Sequence, residues 1–375
     1  MMDPRVERMA HVLVHYSNRI RNGDRVFIEA EPAAEPLIRA LYELILEAGG
    51  HPHLSLSLSG LTYKSNLDDV FLTYAGDKQL DYMPPFYKLA YDSFEARIRI
   101  WSQSNTKALS QADRGKMARR EKAVGPITGA QFARGDKGDF RWVTTLYPTE
   151  AYAQDAEMSI SEFEDLVFSA CHVADPHSDP LAYWHGVEAE QNKIVEALNG
   201  HDRVAVRGPN CDLTLSVRGR TFINACGRNN MPDGEVFTGP VEDSANGWVR
   251  FNVPSVFHGN EVSGVELKFV DGRVEQAKAA KNLSFLSEML ETDSGARFLG
   301  EFAVGTNFGI RHVTRNILFD EKIGGTIHMA LGAGYPKTGS VNKSAIHWDL
   351  ITEMQNGGEI LIDGELVYKD GRFTI

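Results

Sequence analysis

At 375 residues the chain exceeds one average domain, and its content of 42% hydrophobic and 24% charged residues is that of a globular protein, which excludes a disordered or fibrous chain. A formal net charge of −12 repels polyphosphate backbones, so no nucleic-acid partner is expected. No apolar run is long enough to span a bilayer and the opening residues lack a signal-peptide pattern, so no membrane association and a cytoplasmic location are expected.

Val6, Met9, Ala10, Leu13, Tyr16 and Ile20 recur at helical spacing, and Asn22-Gly23-Asp24 breaks the pattern before the strand-like run Val26–Ile28. Pro36 opens a second amphipathic stretch with Leu37, Leu41, Leu44 and Ile45, stopped by Gly49-Gly50 ahead of the alternating run His53 to Leu58. This is a βαβ unit. Where a dinucleotide site needs glycines after its first strand, Glu31-Pro32-Ala33-Ala34-Glu35 stands instead, so no nucleotide cofactor is expected. Strands are predicted over Arg97–Trp101 and Trp142–Leu146, and a helix over Ser161–Cys171 behind the capping signal Ser159-x-x-Glu162. The basic run Arg114 to Lys122 lacks interleaved aromatics and reads as a solvated helix face.

A last helical pattern, Leu181 to Leu198, ends at Asn199-Gly200, and the texture changes to short strands around Val204, Leu213–Val217 and Phe222-Ile223. Asp271-Gly272, Asp363-Gly364 and Asp370-Gly371 supply the positive φ values of tight hairpin turns. The fold class is therefore α/β plus α+β: an N-terminal open α/β domain over residues 1–200, followed by a β-rich, metal-binding C-terminal domain over 201–375. Cys171, Cys211 and Cys226 form no C-x-x-C pair and are expected to be buried free thiols.

The usual hydrolase and phosphate-binding motifs are missing, so any catalyst must be assembled from dispersed residues. Four turn-rich segments of the second half carry metal-ligand types: Glu235, Glu301, Glu321 with His328, and His347 with Asp349. In an extended segment His347 and Asp349 project from one face while Trp348 packs behind, although the pair alone serves equally as a hydrogen-bonded structural pair or as a metal site. Imidazole and carboxylate suit zinc, cobalt or manganese, and bridging carboxylates allow two cations about 3.5–4 Å apart. Tyr335 follows glycines in Gly332-Ala333-Gly334 and is either a ligand-facing residue or a packed turn. His51, His53, His185 and His258, and the run Glu288, Glu291, Asp293, are expected to be structural or solvated.

The second half resembles the thermophilic-aminopeptidase family of metallopeptidases, the aminopeptidase T and S types. The resemblance is carried in order by Cys211–Arg220, Asn230–Ser244 with its Met-Pro-Asp-Gly-Glu core, Leu299–Ala303, Gly325–Gly332 and Asn342–Asp349. Less specific likeness, including Asn22–Val26, extends it over nearly the whole chain. By motif position it implies Glu235, Glu301, His328, His347 and Asp349 as ligands of two divalent ions, with Glu321 a sixth whose spacing to the following histidine varies. It also implies zinc or cobalt, with magnesium or manganese as alternatives, a homodimer, and peptide substrates with a free N-terminus. In that scheme Glu301, or else Glu235, accepts a proton from water and Tyr335 stabilises the oxyanion.

Two other functions use the same residues. A non-haem iron oxygenase would take His328, His347 and Asp349 as a facial triad, but it leaves Glu235 and Glu301 idle and reverses the usual H-x-D-first order. The other is a noncatalytic peptide- or metal-binding protein on the same fold.

Overall fold

A computed structural model describes residues 3–60 and 65–375. The chain groups into two compact units, Met1–Trp184 with Gly227–Pro232, and His185–Cys226 with Asp233–Ile375.

In the first unit the opening apolar periodicity folds as helix Pro4–His11 continued by a π-helical turn Val12–Ser17, burying Val6, Met9 and Leu13. Asp3 caps it by accepting the Arg5 backbone N–H at 2.8 Å. Strand Arg25–Ala30, helix Glu35–Glu47 and strand His51–Leu56 form the predicted βαβ unit. Five parallel strands make the sheet, in the order His51–Leu56, Arg25–Ala30, Ala96–Trp101, Arg141–Leu146, Asn230–Met231. Ser159 and Glu162 form the expected capping box on helix Ile160–Ala170, each accepting from the other's backbone N–H. The basic run lies on helix Arg114–Gly135, but its face is not wholly solvated. Arg120 is buried, donates to the Leu80 carbonyl at 3.1 Å and packs on the Phe71 ring.

The second unit is antiparallel and β-rich. An eight-stranded sheet and a five-stranded sheet share one apolar core containing Val206, Leu213, Phe251, Leu267, Met329 and Trp348. The three Asp-Gly dipeptides sit in hairpins with positive φ at both positions, 47° and 79° for Asp271-Gly272, 50° and 91° for Asp363-Gly364, and 47° and 86° for Asp370-Gly371. The division between the units falls inside helix Pro180–Leu198, whereas the sequence pattern puts a boundary after it. The helix changes allegiance along its length. Trp184 packs on Tyr16 and donates to the Cys171 carbonyl, while Ile194 and Leu198 join the β-rich core and Gln191 donates to the Glu235 and Ala225 carbonyls at 2.9 and 3.0 Å. The three cysteines are free and buried. No described helix is long and apolar enough to cross a membrane.

Candidate metal centre

The five-stranded sheet runs in the order His347–Glu353, Thr326–Gly332, Leu299–Gly305, Glu235–Thr238, Ile223–Ala225, antiparallel throughout. Its register determines what faces what. Ala330 lies opposite both Glu301 and Asp349, His328 opposite Ala303, His347 opposite Gly332, and Glu235 opposite Gly305. Residues opposed across an antiparallel ladder share a face, and faces alternate along each strand. Glu235, Glu301, His328, His347 and Asp349 therefore project together. Their cross-strand neighbours Ala303, Gly305, Ala330 and Gly332 are small and leave room above the sheet. The alternating residues Val236, Phe302, Ile327, Met329, Leu331 and Trp348 turn the other way, into the apolar core. Trp348 is anchored there by donating to Ser255 Oγ at 2.9 Å and stacking on Phe257.

Two local features set the His347 imidazole. Gly332 has a φ of +98°, and a Cβ there would lie 2.2 Å from the Ile346 carbonyl oxygen, so only glycine ends the strand this way. The turn places the Ala333 carbonyl to accept from His347 Nδ1 at 2.7 Å. With Nδ1 carrying that hydrogen, Nε2 is the atom left to face Asp349 Oδ1 at 3.5 Å and Glu301 Oε2 at 3.6 Å. His328 Nε2 lies 3.2 Å from Glu301 Oε1 and 3.3 Å from Glu235 Oε2.

Three groups of ligand atoms close to within 4.8 Å: Glu235, Glu301 and His328; Glu301, His347 and Asp349; Glu321, His328 and Asp349. Glu301 belongs to two of them, with one oxygen toward each imidazole. Within these groups Glu235 Oε2, Glu301 Oε2 and Asp349 Oδ1 are buried and make no hydrogen bond. Buried carboxylate oxygens of that kind are costly unless a cation completes them, and mixed carboxylate and imidazole donors fit borderline divalent metals.

The titration behaviour has the same origin. Burial pushes Glu321 up to about 6 and raises Glu235, with neighbouring carboxylates adding to both. Burial alone would lower the imidazoles. The surrounding carboxylates override it, taking His328 up to about 9 and His347 up to about 10. For Asp349 burial is outweighed by the charge of His347 beside it, which brings it down to about 2. Burial against the site and the charges of Glu301 and Asp349 hold the Tyr335 phenol protonated well above its ordinary range, although 39% of the residue stays exposed.

The structure thus brings together all six residues singled out as metal-ligand types, Glu321 included, its position following the short helix Ile317–Asp320. Tyr335 stands at the edge, its ring edge-on to His347 at 5.2 Å and to Phe237 at 5.6 Å between centroids. His51, His53, His185 and His258 join none of the three groups, and Glu288, Glu291 and Asp293 are exposed. Two residues of the cluster were not foreseen. Lys322 is 1% exposed, its Nζ 2.7 Å from Glu235 Oε1 and hydrogen-bonded to Glu321 Oε1, and buried Asp233 has Oδ1 at 3.8 Å from it. The signal for Asp233 was its place two residues before Glu235, which repeats the H-x-D spacing; Lys322 gave none, because an isolated lysine reads as solvated.

Comparison with known proteins bears on the family and the fold. The sequence model of the thermophilic metalloprotease (M29) family matches residues 2–373. Aminopeptidase 2 of Geobacillus stearothermophilus is 26% identical over 407 aligned positions, covering 98% of this chain and 95% of its own. Wild-type AmpT from Thermus thermophilus superposes with a TM-score of 0.84 at 23% identity, over 99% of each chain. The 2,5-dihydroxypyridine dioxygenase of Pseudomonas putida KT2440 shares the fold more loosely, with a TM-score of 0.57 at 12% identity over 99% of this chain and 96% of its own. One fold hosting two chemistries means that the fold alone does not decide the reaction. The match of the family model over residues 2–373 does decide the family: this chain belongs to the thermophilic metalloproteases, M29.

Proposed function

We propose that this chain is a metal-dependent aminopeptidase in which Glu235, Glu301, Glu321, His328, His347 and Asp349 hold a pair of divalent ions and the N-terminal amino acid is released from a peptide. The observation that carries the reading is the set of overlapping ligand groups joined through Glu301, with one oxygen toward each histidine. Zinc and cobalt suit the mixed donors best, with manganese or magnesium as further candidates. Bound there, such ions supply Lewis acidity, polarising the scissile carbonyl and easing the ionisation of water.

The chain's own residues do the rest. Glu301 Oε2, buried and without a hydrogen bond, accepts the proton of the attacking water and returns it to the leaving amine. Tyr335 keeps its phenolic hydrogen and donates it to the developing oxyanion. The free amine of a peptide terminus pairs with a carboxylate at the site, which confines attack to the first residue. His328 and His347 fall in separate ligand groups, and an oxygenase triad of His328, His347 and Asp349 would leave Glu301 a buried anion outside the ion site and Glu235 balanced by Lys322 alone. The family resemblance adds a homodimer working in the cytoplasm, which sizing of the purified protein and fractionation of cells address.

The deciding experiment is a panel of free and N-acetylated peptides, assayed on stripped protein with zinc, cobalt, manganese or magnesium restored. Release of the first residue from free peptides only, and only with metal, is the expected result. Equal turnover of acetylated peptides, or turnover by stripped protein, contradicts the reading.

A further inference from the structure

Among the described residues, Lys322 is the one cation of fixed charge in the cluster, and nothing in the peptide chemistry above uses it. It is 1% exposed, and burial of an ammonium is tolerated only against anions. Three carboxylates surround its ammonium: Glu235 Oε1 at 2.7 Å, Glu321 Oε1 in a hydrogen bond, and Asp233 Oδ1 as an ion pair at 3.8 Å. The contact divides each carboxylate. Glu235 gives Oε1 to the ammonium, so its other oxygen, Oε2, is turned toward His328 and makes no hydrogen bond. Glu321 likewise gives Oε1 to Lys322 while lying within ion-binding reach of His328 and Asp349.

We propose that Lys322 is the positioning residue of the ion site: it fixes the rotamers of Glu235 and Glu321 by one oxygen each and sets the charge that the ions must balance. Asp233, Glu235, Glu301, Glu321 and Asp349 carry five negative charges when ionised, and the ammonium reduces them to four. Two divalent cations neutralise four charges, with the histidines as neutral ligands. The assignment rests on the metal-site reading above, and its test separates the two.

Wild-type protein is stripped with a chelator and titrated with cobalt(II), following the visible absorption and the bound stoichiometry. Two equivalents are expected. Lys322→Met is expected to bind the ion beside Glu235 and Glu321 about 10–100-fold more weakly, the range found when partners of metal ligands are removed. The second ion and the far-ultraviolet circular dichroism should be unchanged. Lys322→Gln, which keeps N–H donors without the charge, should fall between, and it decides the question if the methionine variant does not fold. A purely structural ion pair would lower the melting temperature of the stripped protein without separating the affinities of the two ions. Either folded variant binding both ions as tightly as wild type overturns the role of Lys322. Wild-type protein that binds no cobalt(II) overturns the metal site itself, and the proposal with it.

Discussion

Glu29 in the N-terminal unit is buried beside two arginines, whereas the C-terminal unit buries a set of carboxylates beside a single lysine. Glu29 Oε2 accepts from the Tyr91 hydroxyl at 2.8 Å and from Arg99 at 2.9 and 3.0 Å, and Arg97 donates to Gln131 and Thr144 at 2.8 and 2.7 Å. The protein supplies both signs of charge there, and although Arg97 Nε makes no hydrogen bond it lies 3.9 Å from the carboxylate that balances it. Around Glu301 it supplies mainly one sign, and three carboxylate oxygens make no hydrogen bond. Burial of charge is therefore not by itself a mark of function in this molecule. The mark is burial of charge that the chain does not balance.

That contrast can be broken by substitution. Glu301→Gln should lower kcat/KM by about 10²–10⁴-fold, the usual weight of a general base, and also reduce bound metal. Full activity in that variant would remove Glu301 from the mechanism. Glu29→Gln strands buried Arg97 and part-buried Arg99 and should cost about 3–5 kcal/mol in denaturant unfolding while bound metal stays at the wild-type ratio. Metal loss there would mean that the two units are not independent in the way the comparison requires. Removing the ions by chelation should lower stability by about 2.7 kcal/mol for each ion, about 5.4 kcal/mol for the pair, relative to protein held at a hundredfold excess of ion over its dissociation constant. An unchanged melting temperature would show that the carboxylates do not need them.

The smallest effect belongs to an exposed pair at the opposite end of the N-terminal sheet from the polar cluster. Hydrogen bonds from Arg25 bring Glu95 down to about 2 from its ordinary 4.5. A lowered carboxylate stabilises the fold above its unfolded pKa, and the contribution disappears as pH falls from about 4.5 through about 2. Both side chains are a third or more exposed, at 34% and 43%, so solvent screening limits the pair to about 0.2–1 kcal/mol. Glu95→Gln should flatten the acid limb of the stability curve in that window and leave neutral pH nearly unaffected.

Local chemistry was legible in the sequence wherever one short segment fixes it. The Asp-Gly hairpins, the Ser159–Glu162 capping box and the alternation of His347 and Asp349 about Trp348 all fall in this class. Thr326–Gly332 carries a similar code, with Ile327, Met329 and Leu331 on the core face and His328, Ala330 and Gly332 on the other. What a segment meets was harder to read. That Ala330 stands between Glu301 and Asp349 depends on strand register across three strands. Lys322 and Arg120 look solvated until the partners that bury them are brought in from elsewhere in the chain. Asn230–Met231, short and embedded between C-terminal strands, gives no hint that it pairs in parallel with Arg141–Leu146.

The ligand groups on the His328 and His347 sides of Glu301 would each hold one ion. The direct measurement is anomalous scattering at the zinc edge from crystals of zinc-loaded protein. Two peaks flanking Glu301 are expected, each within about 2.0–2.2 Å of its carboxylate or imidazole ligand atoms, one on the His328 side and one on the His347 side. A single peak held by His328, His347 and Asp349, with Glu235 and Glu301 uncoordinated, would contradict the account.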